Sequence, residues 1–279
     1  MLYSNRIIYS NNTVLSDISL AVSDYKASSE TLAIIAAEDY LYIGGDLPFN
    51  HRYIDVTTAN DLASVVSVSI WDGVNWTAAV DVIDETSVAG VSFARSGIVR
   101  WTTDRNSSWG QEGTTENISG LTTVKVYDMY WVRLSFSADL KSTTAINYVG
   151  HRFSSDEDLG SRYPDLTLAT TKAAFTVGKT DWDDQGFAAA EEIILRLRKE
   201  NKFFSANQIL NPEMFNQASI HKVAQIIYNA FGDDYKDNRD AAKKDFLESF
   251  DGISFDLDRD MDGKLDFNEK IKPTGWVRR

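Results

Sequence analysis

The first 150 residues of the chain alternate hydrophobic and polar positions with a period of two, the pattern of half-buried β-strands. In residues 124–136 one face collects the apolar side chains of Val124, Val126, Tyr130, Val132, Leu134 and Phe136. Residues 66–70 alternate in the same way, and the turn sequence at 72–75 predicts a partner strand at 76–80. Further strands are predicted at 13–22, 31–43, 51–57, 90–94 and 97–102. Short strands separated by Gly, Asp and Asn turns predict an antiparallel β-sandwich.

The last third of the chain has the period of amphipathic helices. In residues 187–199 one helical face carries Phe187, Ala190, Ile194 and Leu197. Asn211 and Pro212 predict the start of a second helix over 212–231, which Gly232 would end, and a third helix is predicted at 238–250. The predicted fold class is therefore α+β: an N-terminal antiparallel β-sandwich, then a small C-terminal helical bundle and an EF-hand-like calcium loop.

The charge content changes near residue 150. Residues 1–150 contain 17 acidic and 9 basic side chains, whereas the shorter segment 151–279 contains 24 acidic and 19 basic ones. We therefore predict a β-sandwich domain at 1–150 and a linker at 151–182. A helical adaptor-like bundle is predicted at 183–250 and a C-terminal arm with the calcium loop at 251–279.

Residues 258–269 match the twelve-position EF-hand calcium loop at each diagnostic position. Calcium requires six to eight oxygen ligands, and a short loop supplies them only by wrapping around the ion. Gly263, at position 6, permits the sharp turn. The predicted metal ligands are the carboxylates of Asp258, Asp260 and Asp262, the backbone carbonyl of Lys264, Asp266 directly or through water, and both oxygens of Glu269.

The flanks of this loop differ from those of a calcium sensor. Residues 253–257 alternate like an extended strand, and only residues 267–271 follow before Pro273 would stop a helix. No second loop of this type is present in the sequence. We therefore predict a structural calcium clip that fixes the C-terminal arm, and no regulatory opening.

Composition excludes several classes of function. The net charge of −13 argues against a surface that binds nucleic acid, because such a surface requires basic patches. The absence of cysteine excludes disulfides, thiolate metal sites and cysteine nucleophiles. No apolar stretch approaches the length of a membrane span, so no contact with a membrane is expected.

No catalytic constellation is visible in the sequence. The three histidines, His51, His151 and His221, have no second histidine or acid at metal-ligand spacing. The sequence also lacks a Gly-x-Ser-x-Gly elbow, a phosphate-binding loop and a dinucleotide fingerprint. We therefore expect a protein that is not an enzyme, with no catalytic residues and no organic cofactor.

A pattern of turns and tryptophans in the first half resembles a β-sandwich module of tailed-bacteriophage virion proteins. The pattern covers roughly residues 40–140. Its turn and strand segments are residues 47–49, 70–73 and 130–134. Its single positions are Trp76, Asp84, Thr86, Ser96, Gly97, Val99 and Trp101.

The second half resembles the helical head-to-tail connector (adaptor) proteins of tailed phages. The matching features are residues 187–197, residues 224–231 and the acidic loop at 258–269. This resemblance implies a structural virion protein of the neck, made in the host cytoplasm, that forms a homo-oligomeric ring between portal and tail proteins. The acidic lumen would let DNA pass without sequence-specific binding. Residues 251–279 would dock on a partner subunit.

Two alternatives remain open at this point. The first is an adhesin or carbohydrate-binding virion appendage, for which the sugar-stacking candidates are Trp71, Trp76, Trp101, Trp109 and Trp131. The second is a capsid decoration protein located on the shell.

Overall fold

The computed structural model describes residues 5–23, 29–113, 118–124, 128–200, 204–266 and 269–271. These residues divide into two compact units. The first unit takes the described residues up to Gly150 together with Asn207–Leu210 and Asp258–Asp266. The second unit takes the remainder, which is mostly helical. The α+β class predicted from the sequence is therefore confirmed.

The first unit contains two antiparallel sheets. The strands of the six-stranded sheet are β1 (Asn5–Asn11), β2 (Val14–Asp17), β4 (Tyr40–Gly45), β6 (Val66–Trp71), β7 (Trp76–Ala78) and β10 (Tyr130–Phe136), in the order β2-β1-β4-β10-β6-β7. The strands of the five-stranded sheet are β3 (Glu30–Thr31), β5 (His51–Thr58), β8 (Val80–Asp84), β9 (Gly97–Thr102) and β11 (Ala145–Gly150), in the order β3-β11-β5-β9-β8.

The two sheets share one apolar core. The six-stranded sheet contributes Ile43, Val68 and Leu134 to it, and the five-stranded sheet contributes Ile54 and Val99. On β6 and β10 buried side chains alternate with more exposed ones, so the period-two pattern predicted for these two strands marks the core of this sandwich-like unit.

Two predicted strands are interrupted by turns. Within residues 13–22, only Val14–Asp17 forms a strand, and it pairs with β1 through a two-residue turn at Asn12 and Thr13, both at positive φ. Residues 31–43 divide into β3 and β4 because the chain turns at Ala37, where φ is 65°. The buried carboxylate of Asp39 holds this turn by accepting the backbone N–H of Ile35 at 2.9 Å.

The second unit contains five helices within the described residues: α1 (Asp156–Arg162), α2 (Ala169–Phe175), α3 (Asp183–Lys199), α4 (Asn216–Phe231) and α5 (Lys236–Asp251). Residues 151–182, predicted as a linker, therefore contain α1 and α2. Helix α1 begins with a capping box in which Ser155 and Asp158 satisfy each other's backbone N–H groups. The helices share a core that includes Leu159, Trp182 and Ile227.

Helix α4 ends at Gly232, whose φ of 84° suits glycine, as predicted. Its start differs from the prediction, because Pro212–Phe215 is a 3-10 turn and the α-helix begins only at Asn216. Asn211 makes no cap hydrogen bond. Its side-chain oxygen accepts the backbone N–H of Asp256 at 2.8 Å instead.

A two-stranded antiparallel sheet completes the second unit. It pairs β12 (Phe255–Asp256) with β13 (Lys270–Ile271). Just inside this pair, the N–H of Leu257 donates to the carbonyl of Glu269 at 3.3 Å. The extended entry predicted at 253–257 is therefore present. In the part of the chain that is described, no helix has the length and apolar character needed to span a bilayer.

Candidate metal centre

The carboxylate of Asp258 organises the acidic loop of the first unit. The residue is fully buried. Its side-chain oxygens accept the backbone N–H of Gly263 at 2.9 Å and that of Asp262 at 3.2 Å. A carboxylate that accepts backbone N–H groups four and five residues ahead curls the chain around itself, which is what position 1 of a calcium loop must do.

Position 6 of the loop admits no side chain. Gly263 has a φ of 75°, in the left-handed region that glycine adopts without strain. A Cβ atom built on Gly263 would lie 2.2 Å from Nε1 of Trp109 and 2.8 Å from Cβ of Pro48. Glycine is therefore required here both by backbone conformation and by packing against the sandwich residues.

Three aspartates of the loop converge. One carboxylate oxygen from each of Asp258, Asp260 and Asp262 lies within 4.8 Å of the others, so the three could hold a metal ion. Asp260 and Asp262 are exposed, which leaves an ion accessible from solvent on that side. Asp262 is oriented by the backbone N–H of Lys264, which donates to its Oδ1 at 2.8 Å.

The electrostatics of the cluster favour a cation. Although Asp262 is exposed, partial desolvation raises the pKa of its carboxyl above the usual value, and the nearby carboxylates of Asp260 and Asp266 raise it further. The hydrogen bond from the N–H of Lys264 opposes this rise. Like charges held this close repel one another, and a divalent ion among them would replace repulsion with attraction.

The donor set fits a hard cation. All three side chains offer carboxylate oxygen, the donor preferred by calcium, magnesium and manganese, and no histidine or cysteine belongs to the cluster. Among the residues that the structure describes, no other group of three or more His, Cys, Asp or Glu side chains lies close enough to hold a metal ion.

Sandwich residues and the segment Asn207–Leu210 seat the loop. The buried residue Gln208 pairs with Asp258 through two hydrogen bonds: the N–H of Asp258 donates to the Gln208 carbonyl at 2.9 Å, and Nε2 of Gln208 donates to the Asp258 carbonyl at 2.8 Å. At the other end, Nζ of Lys264 donates to the carbonyl of Arg105 at 3.2 Å. The loop therefore packs against residues of its own chain.

The remaining predicted ligands have different surroundings. Lys264 and Asp266 lie in the same unit as the three aspartates, and Asp266 is exposed. Glu269 belongs to the second unit, in which it is buried. Phe267 and Asn268 lie outside the described residues. The roles of Trp109 and Gln208 in seating the loop are missed by sequence reasoning, since both are remote in the chain and neither carries metal-ligand chemistry.

The five tryptophans considered for sugar stacking have different environments. Trp71, Trp101 and Trp131 are buried. Trp109 is partly buried against the sandwich core, and its Nε1 donates to Oγ1 of Thr103 at 3.0 Å. Trp76 is half-buried beside the rings of Trp71 and Tyr42. Three of these five rings therefore serve packing, which aromatic residues commonly do in sandwich cores.

Two of the histidines are held in the interior of their own units. His51 is fully buried, and burial lowers its pKa to about 3, helped by the neighbouring Arg52 charge. Burial also lowers the pKa of His221, against the attraction of Asp245. Nδ1 of His221 lies 2.8 Å from the hydroxyl of Tyr163. These surroundings favour neutral imidazoles that pack in the interior.

Comparison with known proteins identifies no relative of this chain. No protein-family model matches the sequence, no curated protein matches it, and no solved structure matches the fold.

Proposed function

We propose that residues 258–266 bind a structural calcium ion that holds this segment against the sandwich unit. The observation that carries the proposal is the convergence of Asp258, Asp260 and Asp262 in a loop whose turn glycine packs on Trp109. The ion would take one oxygen from each of these carboxylates. The Lys264 carbonyl and Asp266 are the further ligands that the loop motif assigns within the same unit, and Glu269 stays the ligand predicted for position 12.

Calcium fits this loop better than magnesium. Magnesium demands near-ideal octahedral geometry and keeps several waters, whereas calcium accepts irregular sets of six to eight oxygens. The loop offers many anionic oxygens on a short, curved backbone, which suits the larger and less demanding ion. Asp258 accepts two backbone N–H groups of the turn, which hold the loop in its curved form and reduce the ordering cost of binding.

A structural ion would raise stability by mass action. An ion that binds only the folded chain stabilises it by about 2.7 kcal/mol at a free concentration a hundred times the dissociation constant. Thermal unfolding in calcium and in chelator therefore tests the proposal. We expect a higher transition temperature in calcium, little effect of magnesium at the same concentration, and loss of the difference in Asp260→Asn.

A matched control separates metal binding from general charge effects. Asp61 is an exposed carboxylate of the same unit that pairs with Lys141, and Asp61→Asn should keep the full calcium shift. An equal calcium shift in wild type, Asp260→Asn and Asp61→Asn would refute a site at the loop, because the ion would then act elsewhere.

For the protein as a whole we propose a structural subunit of a tailed-phage neck, present as a closed ring between portal and tail. Three observations support this proposal: the resemblance of residues 187–197 and 224–231 to connector proteins, the net charge of −13 that would keep a lumen from retaining DNA, and the division into a sheet unit and a helical unit. Calcium would then hold residues 258–266 against the sheet unit during assembly.

Imaging of purified virions tests this assignment. Antibody or gold label should lie at the neck, and the free protein or its assembly should give a ring of defined mass. Label on the capsid shell would indicate a decoration protein instead, and label on tail appendages would favour an adhesin; both results would contradict the connector proposal while leaving the calcium proposal intact.

A further inference from the structure

The outer face of the six-stranded sheet carries Arg133, which pairs with no acidic side chain among the residues that the structure describes. On β10 the core residues alternate with Trp131, Arg133 and Ser135, which lie on the opposite face. Arg133 is half-buried, and its Nε is buried without a hydrogen-bond partner. None of the ion pairs between described residues involves Arg133.

The guanidinium of Arg133 lies beside two aromatic rings and hydrogen-bonds the hydroxyl of Tyr42. Its central carbon lies 4.6 Å from the ring centroid of Tyr40 and 5.0 Å from that of Trp76. Trp76 is itself fixed, since its Nε1 donates to the carbonyl of Ser119 at 2.8 Å. Contact with aromatic faces limits the conformations of Arg133 while leaving its charge unneutralised. Its two terminal nitrogens, and not the buried Nε, are the donors for bidentate recognition of a carboxylate.

Serine hydroxyls form the surface beside this arginine. The register of β6 and β10 places Ser69 opposite Arg133 and Ser67 opposite Ser135. Ser67 is exposed, and Ser69 and Ser135 are partly exposed. All three lie on the outer face, because their neighbours Val68, Leu134 and others point into the core. Small side chains leave room for a ligand, and hydroxyls can both donate to and accept from the hydroxyls of a sugar.

Other side chains cover part of the outer face. Ile118 and Leu121 pack there against Tyr42 and Trp131. The serines and Arg133 therefore form a bounded patch, with the half-buried rings of Tyr40 and Trp76 beside it. Aromatic rings next to hydroxyl groups suit the mixed apolar and polar faces of a sugar ring.

We propose that this patch, defined by Tyr40, Ser67, Ser69, Trp76, Arg133 and Ser135, binds an acidic monosaccharide unit through its carboxylate. The charge of the chain selects this class of ligand. A net charge of −13 opposes polyanions, which need several basic contacts, whereas one arginine neutralises one carboxylate. The serines and aromatic rings then provide contacts for the sugar ring. A carboxylate without a sugar ring could not make these contacts.

Titration of the full chain with small saccharides tests the proposal. The probes are N-acetylneuraminic acid and methyl glucuronide, compared with methyl glucoside and acetate, and binding is followed by saturation-transfer NMR. We expect the acidic sugars to bind. The neutral sugar lacks the carboxylate and acetate lacks the sugar ring, so both should bind at least about tenfold more weakly. Arg133→Gln should weaken the acidic sugars by at least about tenfold.

Two further variants separate recognition from folding. Ser135→Gln fills the serine surface and keeps the arginine, and it should also abolish binding. Arg239→Gln changes a residue of the helical unit and should bind as wild type. Absence of binding by either acidic sugar overturns the proposal. Equal binding of acetate and the sugars, or unchanged binding in Ser135→Gln, overturns it as well, even if Arg133→Gln fails to fold.

Discussion

Substitution of Gly263 by alanine measures how strongly the acidic loop is held against the sandwich. The added methyl group would meet Nε1 of Trp109 at 2.2 Å and Cβ of Pro48 at 2.8 Å. At the same time the residue would have to keep a φ of 75°. The variant therefore combines a backbone penalty with a steric one, and the two can be separated by a second glycine.

Gly90 supplies that separation. It also has a positive φ, 83°, but a Cβ atom there would meet no atom within 4 Å. Gly90→Ala should therefore cost only the left-handed backbone term, about 1–2 kcal/mol. Gly263→Ala should add a packing term of about 1–3 kcal/mol, since overfilling a closely packed position forces its neighbours to move. If Trp109 moves, its hydrogen bond to Thr103 contributes to the loss.

The assay is urea unfolding followed by circular dichroism in calcium-free buffer, so that ion binding does not enter the comparison. Gly263→Ala should be less stable than Gly90→Ala by about 1–3 kcal/mol. Equal losses for the two variants would show that the loop does not pack on Trp109 in solution. The refutation would extend to the seating of the proposed calcium site, which rests on the same contact.

Two further predictions concern buried ionisable side chains. The pKa of His51 is about 3 in the fold against an ordinary value of 6.5, so the unfolded chain binds its proton first as the pH falls. The free energy of unfolding therefore falls as the pH drops below the ordinary histidine pKa, by about 2 kcal/mol between about pH 7 and about pH 5. Urea titrations of His51→Gln should lack this loss of stability. Arg152 is buried and forms ion pairs with Asp183 at 2.6 Å and Asp156 at 3.2 Å. Arg152→Met should lower the free energy of unfolding by about 2–3 kcal/mol. The loss is smaller than for a fully buried ion pair, because both aspartates are partly solvated. Thermal unfolding of Lys244→Met, which removes an exposed ion pair, serves as the control and should change by less than about 1 kcal/mol; an equal change in both variants would contradict the prediction.

The sequence predicts strands and helices correctly where their buried face repeats without interruption. The strands at 51–57, 66–70 and 97–102 and the end of the helix at Gly232 follow directly from alternation, periodicity and a left-handed glycine. The prediction of one strand over residues 31–43 is wrong, because the turn at Ala37 depends on Asp39, whose carboxylate accepts a backbone N–H there. A local side-chain hydrogen bond of this kind leaves no trace in hydrophobic periodicity.

Helix α3 shows a second limit of pattern reading. The predicted face contained Ile194, whereas the structure buries Ile193 with Ala189, Ala190 and Leu197. Two adjacent isoleucines fit either of two neighbouring faces, and only the packing partners decide between them. Helices α1 and α2 were missed because they are short and their boundaries depend on a capping box and on a proline turn, not on a long apolar stripe.

The candidate site was predictable in its chemistry but not in its surroundings. Spacing alone assigned Asp258, Asp260 and Asp262 to one cluster, because calcium-loop positions 1, 3 and 5 must converge on an ion. The contact of Gly263 with Trp109 and the pairing of Asp258 with Gln208 join segments far apart in the chain. No local pattern encodes such contacts, so nothing in the sequence predicts that residues 258–266 belong to the sheet unit, as they do in the structure.

Isothermal titration of the chelator-treated protein with calcium is the most direct test of this account. We expect one ion per chain, with the heat of binding lost in Asp258→Asn, whose amide keeps the size of the carboxylate but removes one charge from the cluster. Wild-type protein that takes up no calcium, or Asp258→Asn that binds one ion as tightly as wild type, would contradict the claim that residues 258–266 form a calcium site.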